Sequence, residues 1–416
     1  MEKFRLTKLE KSWILYDVGN SAFILLVSTL IPIYFNSLAG NAGIKEHDYL
    51  AYWAYAGSIA TAIVAVLGPI LGTLADGKGF KKPIFLATLC FGALGCACLG
   101  LVSHYLAFLG VFILARVGYS ASIIFYDAML PEVSPAHRMD KVSSMGYAYG
   151  YIGSVIPFVL CLVLVLGGGA FGLSMGNAMT LAFLLTAVWW VAMSAPLVKN
   201  YRQTAYAERK GSPILDTFRQ LGRTFKNIRQ EKHIFLYLLA FFFFIDGVYT
   251  IIDMATAYGA ALGLDSTGLL LALLVTQIVA FPFAILFGRL AAKYDTGLLL
   301  KVCILAYTGI GIFAVFLATQ WQFWTLAVLV GMFQGGIQAL ARSYMGKIIP
   351  AERSGEYFGL MDICGKGASF VGTTLVGVIS QATGNASLGV ATIVGIFIIG
   401  FCLFCVADKV NKARVA

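Results

Sequence analysis

Seven ionisable side chains interrupt the apolar runs of this sequence: Asp17, Asp127, Asp246, Asp253 and Asp362, with Arg116 and Lys366. At the centre of a lipid-crossing helix such a group costs roughly 2.5–3.5 kcal/mol, so it is retained for a partner or a task. Helical spacing indicates where each one faces. Arg116, Ser120, Ile123 and Asp127 fall on one stripe, and Asp246, Tyr249, Thr250 and Asp253 share a second. Asp362, Lys366, Ser369 and Thr373 form a third. Asp17 and Asn20 adjoin on a face continued by Ile24, and Gln334 and Gln338 repeat that pattern. Both signs of charge, with Tyr16, Tyr126, Tyr147 and Tyr249 at hand, suit a small zwitterion. Its carboxylate would meet a cation, and its amine an aspartate or an aromatic face. Asp17 or Asp246 would carry a coupling proton, with Arg116 or Lys366 as counter-charge. Alternatively, carboxylates with Asn20 and a backbone carbonyl would hold sodium. No metal site or other cofactor is expected. The four histidines lie off mid-span, and the cysteines, including Cys402-x-x-Cys405, sit in or beside apolar runs where thiols pack.

The elements that position these groups follow from composition. Of 416 residues 59% are hydrophobic and 12% charged, which is too apolar for a soluble chain of this length. Runs long enough to cross a bilayer recur at about 12–38, 50–76, 83–103, 105–130, 142–168, 178–198, 234–262, 266–288, 298–319, 322–341, 355–383 and 386–407. The fold class is therefore an all-α membrane protein of twelve spans. The charged N-terminus MEKFRLTKLEK precedes a run too long for a signal sequence, so the first span is expected to stay in place. Of the 30 Lys and Arg, all but Lys45, Arg116 and Lys366 fall on one side if the spans alternate. That asymmetry predicts cytoplasmic termini. It also accounts for the net charge of +10 without nucleic acid.

The polar stretch 199–232 divides the spans six and six, giving bundles at 1–198 and 233–416. Within it, Ser212-Pro213 reads as a helix start. Ile214, Leu215, Phe218, Leu221, Phe225 and Ile228 then share a face, predicting an amphipathic helix on the membrane surface. The bundles echo each other. Pro135-Ala-His-Arg138 returns as Pro350-Ala-Glu-Arg353, Gly72 as Gly288, and Asp17 as Asp246. Such duplication predicts two bundles related by a pseudo-two-fold axis around a central site.

The loop 72-GTLADGKGFKK-82 resembles the signature of the major facilitator superfamily at Gly72, Asp76, Gly79, Lys81 and Lys82. The resemblance implies a cytoplasmic latch. Physically, its glycines permit a tight turn, and Asp76 can sit at another helix's positive end. The stretches 16-YDVGNSAF-23, 125-FYDAMLPE-132, 146-GYAYGYIGS-154, 245-IDGVYTIIDMA-255 and 334-QGGIQALARSYMGKIIPAERSGEYFG-359 extend the likeness, as does 362-DICGKGASFVG-372. Together they resemble the vacuolar-effluxer branch of that superfamily, whose fungal members release amino acids from the vacuole. In that fold spans 1, 4, 7 and 10 line the cavity and span 11 approaches it. The resemblance implies binding by Asp17, Asn20, Arg116, Tyr126, Asp127, Asp246, Tyr249, Asp253, Gln334, Gln338, Asp362 and Lys366.

The expected function is secondary transport of a small polar or zwitterionic solute by alternating access, in a monomer of a bacterial inner membrane. Its partners are that solute and the surrounding lipids. An exporter of amphipathic compounds or lipids, and a non-transporting receptor on the same fold, stay open as alternatives. No nucleophile, metal or nucleotide motif points to an enzyme.

Overall fold

The computed structural model describes residues 4–208, 213–226 and 230–415. Among these residues twelve helices are long and apolar enough to cross a membrane. Span 1 is Lys8–Val27 continued by Leu30–Asn41, span 2 is Glu46–Ala75 and span 3 is Lys81–Cys98. Span 4 is Tyr105–Ala128, span 5 Ala136–Gly167 and span 6 Met175–Asn200. Span 7 is Lys232–Ala261, span 8 Ser266–Leu290 and span 9 Thr296–Val315. Span 10 is Gln320–Ile348, span 11 Ser354–Thr383 and span 12 Ala386–Val415. No strand occurs among the described residues, apart from an isolated bridge between Gly77 and Ala207.

Local chemistry sets several of these boundaries. Thr7 starts span 1 with a capping box: its hydroxyl accepts from the Glu10 amide, and Glu10 accepts from the Thr7 amide at 2.8 Å. Thr319 and Gln322 build the same device at span 10. Span 1 breaks at Ser28–Thr29, four residues before Pro32. The proline lacks the amide that would bond the Ser28 carbonyl, and its ring crowds that group.

Two apolar cores form, one mainly from spans 1–6 and one mainly from spans 7–12. Each carries the same clamp from the duplicated motif. Arg138 pairs with Glu10 at 2.6 Å, and Arg353 pairs with Glu231 at 3.4 Å. In each case the motif arginine ties the loop after the fourth helix of its half to the start of the first.

The two halves meet on the side that carries both ends of the described chain. Gly72 of span 2 lies against the backbone of Gly355 in span 11. Its repeat counterpart Gly288 of span 8 lies against Ser144 of span 5. Farther from the termini, Asp253, Phe370, Leu375 and Val378 are exposed.

The connector follows this seam. Residues 201–207 run beside the loop between spans 2 and 3, where the Ala207 amide donates to the Asp76 carbonyl at 2.8 Å. A helix follows at Pro213–Lys226. Ser212 and Ile228 lie outside the described residues. Of the expected apolar face, Leu215 and Phe218 are exposed, whereas Leu221 is buried against the protein together with Thr217 and Thr224. The reason is polar anchoring. Thr224 bonds Glu356 and accepts from Arg353 at 2.6 Å, which turns Leu215 and Phe218 outward, where a surface helix meets lipid.

A Cβ at residue 72 would collide with the Gly355 carbonyl oxygen, a backbone atom that cannot swing aside. Gly72→Ala is therefore expected to separate the halves on the termini side without unfolding either one. Spin labels at Lys78 and Glu352 would report a longer distance, with circular dichroism unchanged.

Candidate functional site

The centre of the seam is built around Arg342, a residue that the sequence reading had placed beyond the end of span 10. The helix in fact runs on to Ile348, and Arg342 is 3% exposed. Its Nη1 donates to Asp127 Oδ1 at 3.1 Å and its Nη2 to Asp17 Oδ2 at 3.2 Å. Its Nε donates to Ser143 Oγ at 2.9 Å. Three rings surround the cation: Tyr147, Trp13 and Tyr126 lie 4.3, 4.6 and 5.4 Å away. A buried guanidinium requires such satisfaction on all donors. Tyr126 also donates to Asp17 Oδ2 at 2.8 Å, and Asn20 donates to Asp17 Oδ1 at 3.4 Å. Gly146 makes this assembly possible, since a Cβ there would press on both the Asp17 carboxylate and Arg342. The signal for Arg342 was present: Gln334, Gln338 and Arg342 recur every fourth residue. Asp127 and Arg342 are also separated by 215 residues, the offset of Arg138 and Arg353.

Beyond this cluster lies a second one. Lys366 donates to Asp362 at 2.5 Å. Arg116 of the first half is within electrostatic reach of Asp253 and Lys366 of the second. Arg116 forms no hydrogen bond or ion pair in the described structure, and Asp253 accepts only from Ser369, at 3.0 Å. Tyr249 is half-buried beside Gly365. These groups face one another across the seam.

Three expected residues sit differently. Asp246 is 1% exposed and faces span 11, accepting from the Gly372 amide at 3.0 Å and from Thr250 at 3.3 Å. Span 11 packs over that turn of span 7 and closes it off, so Asp246 is separate from the Arg342 cluster. Gln334 is buried and lines an apolar cavity of about 60 Å³ with Ile251, Phe323 and Val330. Gln338 accepts from Tyr151 at 3.5 Å.

The loop between spans 2 and 3 closes the termini side. Asp76 accepts from the Gly355 and Glu356 amides, at 2.7 and 2.8 Å, at the positive end of span 11. Lys81 donates to Glu132 at 2.7 Å and to Ser354 at 2.8 Å. Gly79 donates its amide to Gln203, and Lys82 reaches the Tyr201 carbonyl at 3.2 Å. Two further acids, one tying the connector and one crossing the seam, were missed because neither lies mid-span. Glu132 accepts from Lys81, Tyr201, Thr204 and Ala205. Asp140 of span 5 pairs with Lys347 and accepts from Ser343 and Thr296, at 2.6 and 2.8 Å, in the other half.

Twelve apolar helices in two halves, joined over a buried seam of paired charge, are the architecture of a major facilitator transporter. Within that class the chain belongs to the family described as vacuole effluxer, Atg22-like, which matches it over residues 7–416. The uncharacterised MFS-type transporter YxiO of Bacillus subtilis (strain 168) is 41% identical over 417 residues, covering 99% of this chain and 97% of that one. Autophagy-related protein 22 of Cryptococcus neoformans var. neoformans is 27% identical over 273 residues, or 60% of this chain and 49% of the fungal one. A bacterial homologue of the iron transporter ferroportin, in an outward-facing state, shares the fold with a TM-score of 0.72 at 14% identity. That match covers 97% of this chain and 98% of the other. FucP in the outward conformation gives a TM-score of 0.70, also at 14% identity, covering 96% and 97%. These relatives are transporters, not enzymes.

In the closed seam, burial pushes the Asp76 carboxyl up to about 7, against the opposing pull of Lys81 and of the Glu356 and Gly355 amides. Opened to water, the same group returns to about 3.9. The raised value belongs to the closed state, so protonation favours closure, and the seam tightens as pH falls through 7. Acidification from pH 8 to 6 should shift the equilibrium toward closure by about tenfold. Spin-label distances at Lys78 and Glu352 would measure this, and Asp76→Asn should flatten the dependence.

Proposed function

We propose that the protein is a secondary active transporter of a small zwitterionic organic solute of amino acid type. The observation that carries this reading is Arg116, a cation of the first half without a hydrogen-bonded partner among the described residues. It lies within electrostatic reach of Asp253 and Lys366 in the second half. A carboxylate taken up by Arg116 and an amine taken up by Asp253 would draw the halves together above the Arg342 cluster. Charge-assisted hydrogen bonds of this kind contribute roughly 1.5–3 kcal/mol each. The apolar cavity beside Gln334 would receive a short aliphatic side chain.

The halves then rock about the seam, breaking the Asp76, Asp140 and Arg342 bonds as the termini side opens. We infer that a proton on Asp127 drives the cycle. Asp127 shares Arg342 with Asp17 and keeps a side-chain exposure of 20%, against 10% for Asp17. The basic loops support cytoplasmic termini in a bacterial inner membrane, since positive charge is retained on that side.

The test is counterflow of a panel of labelled amino acids into proteoliposomes, with and without an imposed pH gradient. Accumulation should depend on the gradient. Arg116→Ala should lower it roughly 10- to 100-fold while leaving thermal stability unchanged, and Lys366→Ala should lower it as much but also lower the melting midpoint, because Asp362 loses its partner. No accumulation of any amino acid by folded protein would overturn the reading.

A further inference from the structure

A pocket at the termini end of the seam is used by nothing described so far. It lies between span 5 and span 8, which belong to different halves, and has a volume of about 140 Å³. That is room for several water-sized groups. Its lining combines Lys141, Ser144 and Met145 of span 5 with Ile285, Gly288 and Arg289 of span 8, under Phe4.

Three observations indicate what the pocket lacks. Lys141 and Arg289 are both positive, and neither forms an ion pair with any described residue. The neighbouring acid Asp140 is turned away to Lys347, and the Lys141 ammonium rests on the Phe4 ring at 3.7 Å. Ser144 is completely buried, and its hydroxyl has no hydrogen-bond partner. A buried hydroxyl left without a partner is unfavourable, so a ligand acceptor at this point is favoured. Two unpaired cations and an unused donor, converging on one cavity, define a site for an oxyanion.

We propose that this pocket binds a phosphate-type anion presented as the headgroup of an anionic membrane phospholipid, and that the headgroup bridges the two halves. The lipid source is favoured by the surroundings. The pocket lies at the termini ends of both spans, where headgroups reside, and its walls include Ile285 and Met145. Farther into the membrane the same seam presents exposed Leu286 and Tyr149, on which an acyl chain can lie. A headgroup held by Lys141 and Arg289 also ties span 5 to span 8 where Gly288 meets Ser144. It therefore binds the state closed on the termini side better than the open one.

The experiment is a thermal melt of the purified full-length protein in detergent, titrated with phosphatidylglycerol, phosphatidylethanolamine or inorganic phosphate. Phosphatidylglycerol should raise the midpoint saturably, and the other two should not. The double variant Lys141→Ala/Arg289→Ala should lose most of that gain, with at least tenfold weaker apparent affinity. Lys141→Arg/Arg289→Lys should keep it. The alanine variant's midpoint without lipid, compared with that of the native protein, reports whether it folds. An equal gain in the alanine variant would overturn the site. A gain from inorganic phosphate equal to that from the lipid would overturn the lipid as the ligand. The readout is binding alone, so it is independent of whether amino acids are transported.

Discussion

One buried guanidinium organises the middle of this molecule. Arg342 comes from the second half, while Asp17, Asp127 and Ser143, which satisfy it, all come from the first. A charge removed from water is tolerated only when every donor finds an acceptor, and loss of one partner leaves an uncompensated ion. The closed seam and the neutralised charge are therefore the same event. Around it the other contacts fall into place: Gly146 leaves room for the carboxylate, and Trp13, Tyr126 and Tyr147 exclude water from the cation. Below it, Asp140 and Asp76 repeat the arrangement with Lys347 and with the amides of span 11.

Much of the architecture was legible in the sequence, because length and apolarity suffice to locate lipid-crossing helices. The duplicated Pro-Ala-x-Arg motif pointed to two related halves, and the structure shows what the motif does: Arg138 and Arg353 each clamp a glutamate at the start of their own half. Asp76 was also readable as a helix-end acid, since a carboxylate beside two glycines has few other uses. Side-chain partners were much less legible. Arg342 stands near the end of an apolar run and was counted with the loop cations, because hydropathy alone ended span 10 too early. Asp246 looked like a cavity residue by spacing. Periodicity gives a face but not the neighbour on that face, and here the neighbour is the backbone of Gly372. Glu132 and Asp140 carried no signal, because a loop acid and a helix-end acid look like ordinary solvated residues until the connector and the opposite half are in place.

The bonds divide into two kinds with different duties. Those of Glu10 with Arg138 and of Glu231 with Arg353 lie within one half or the other, and rigid-body motion leaves them intact. Those of Arg342, Asp140 and Asp76 cross between the halves and cannot survive separation. The connector belongs to both kinds. Glu132 holds residues 201, 204 and 205 against the first half, while Thr224 bonds Glu356 and Arg353 of the second.

The bridge from Asp140 to Lys347, Ser343 and Thr296 has a kinetic corollary. Opening the termini side strips Asp140 of all three partners at once, while Lys347, Thr296 and Ser343 keep bonds within their own half. The bridge acts as a catch that sets the barrier to parting the halves on the termini side.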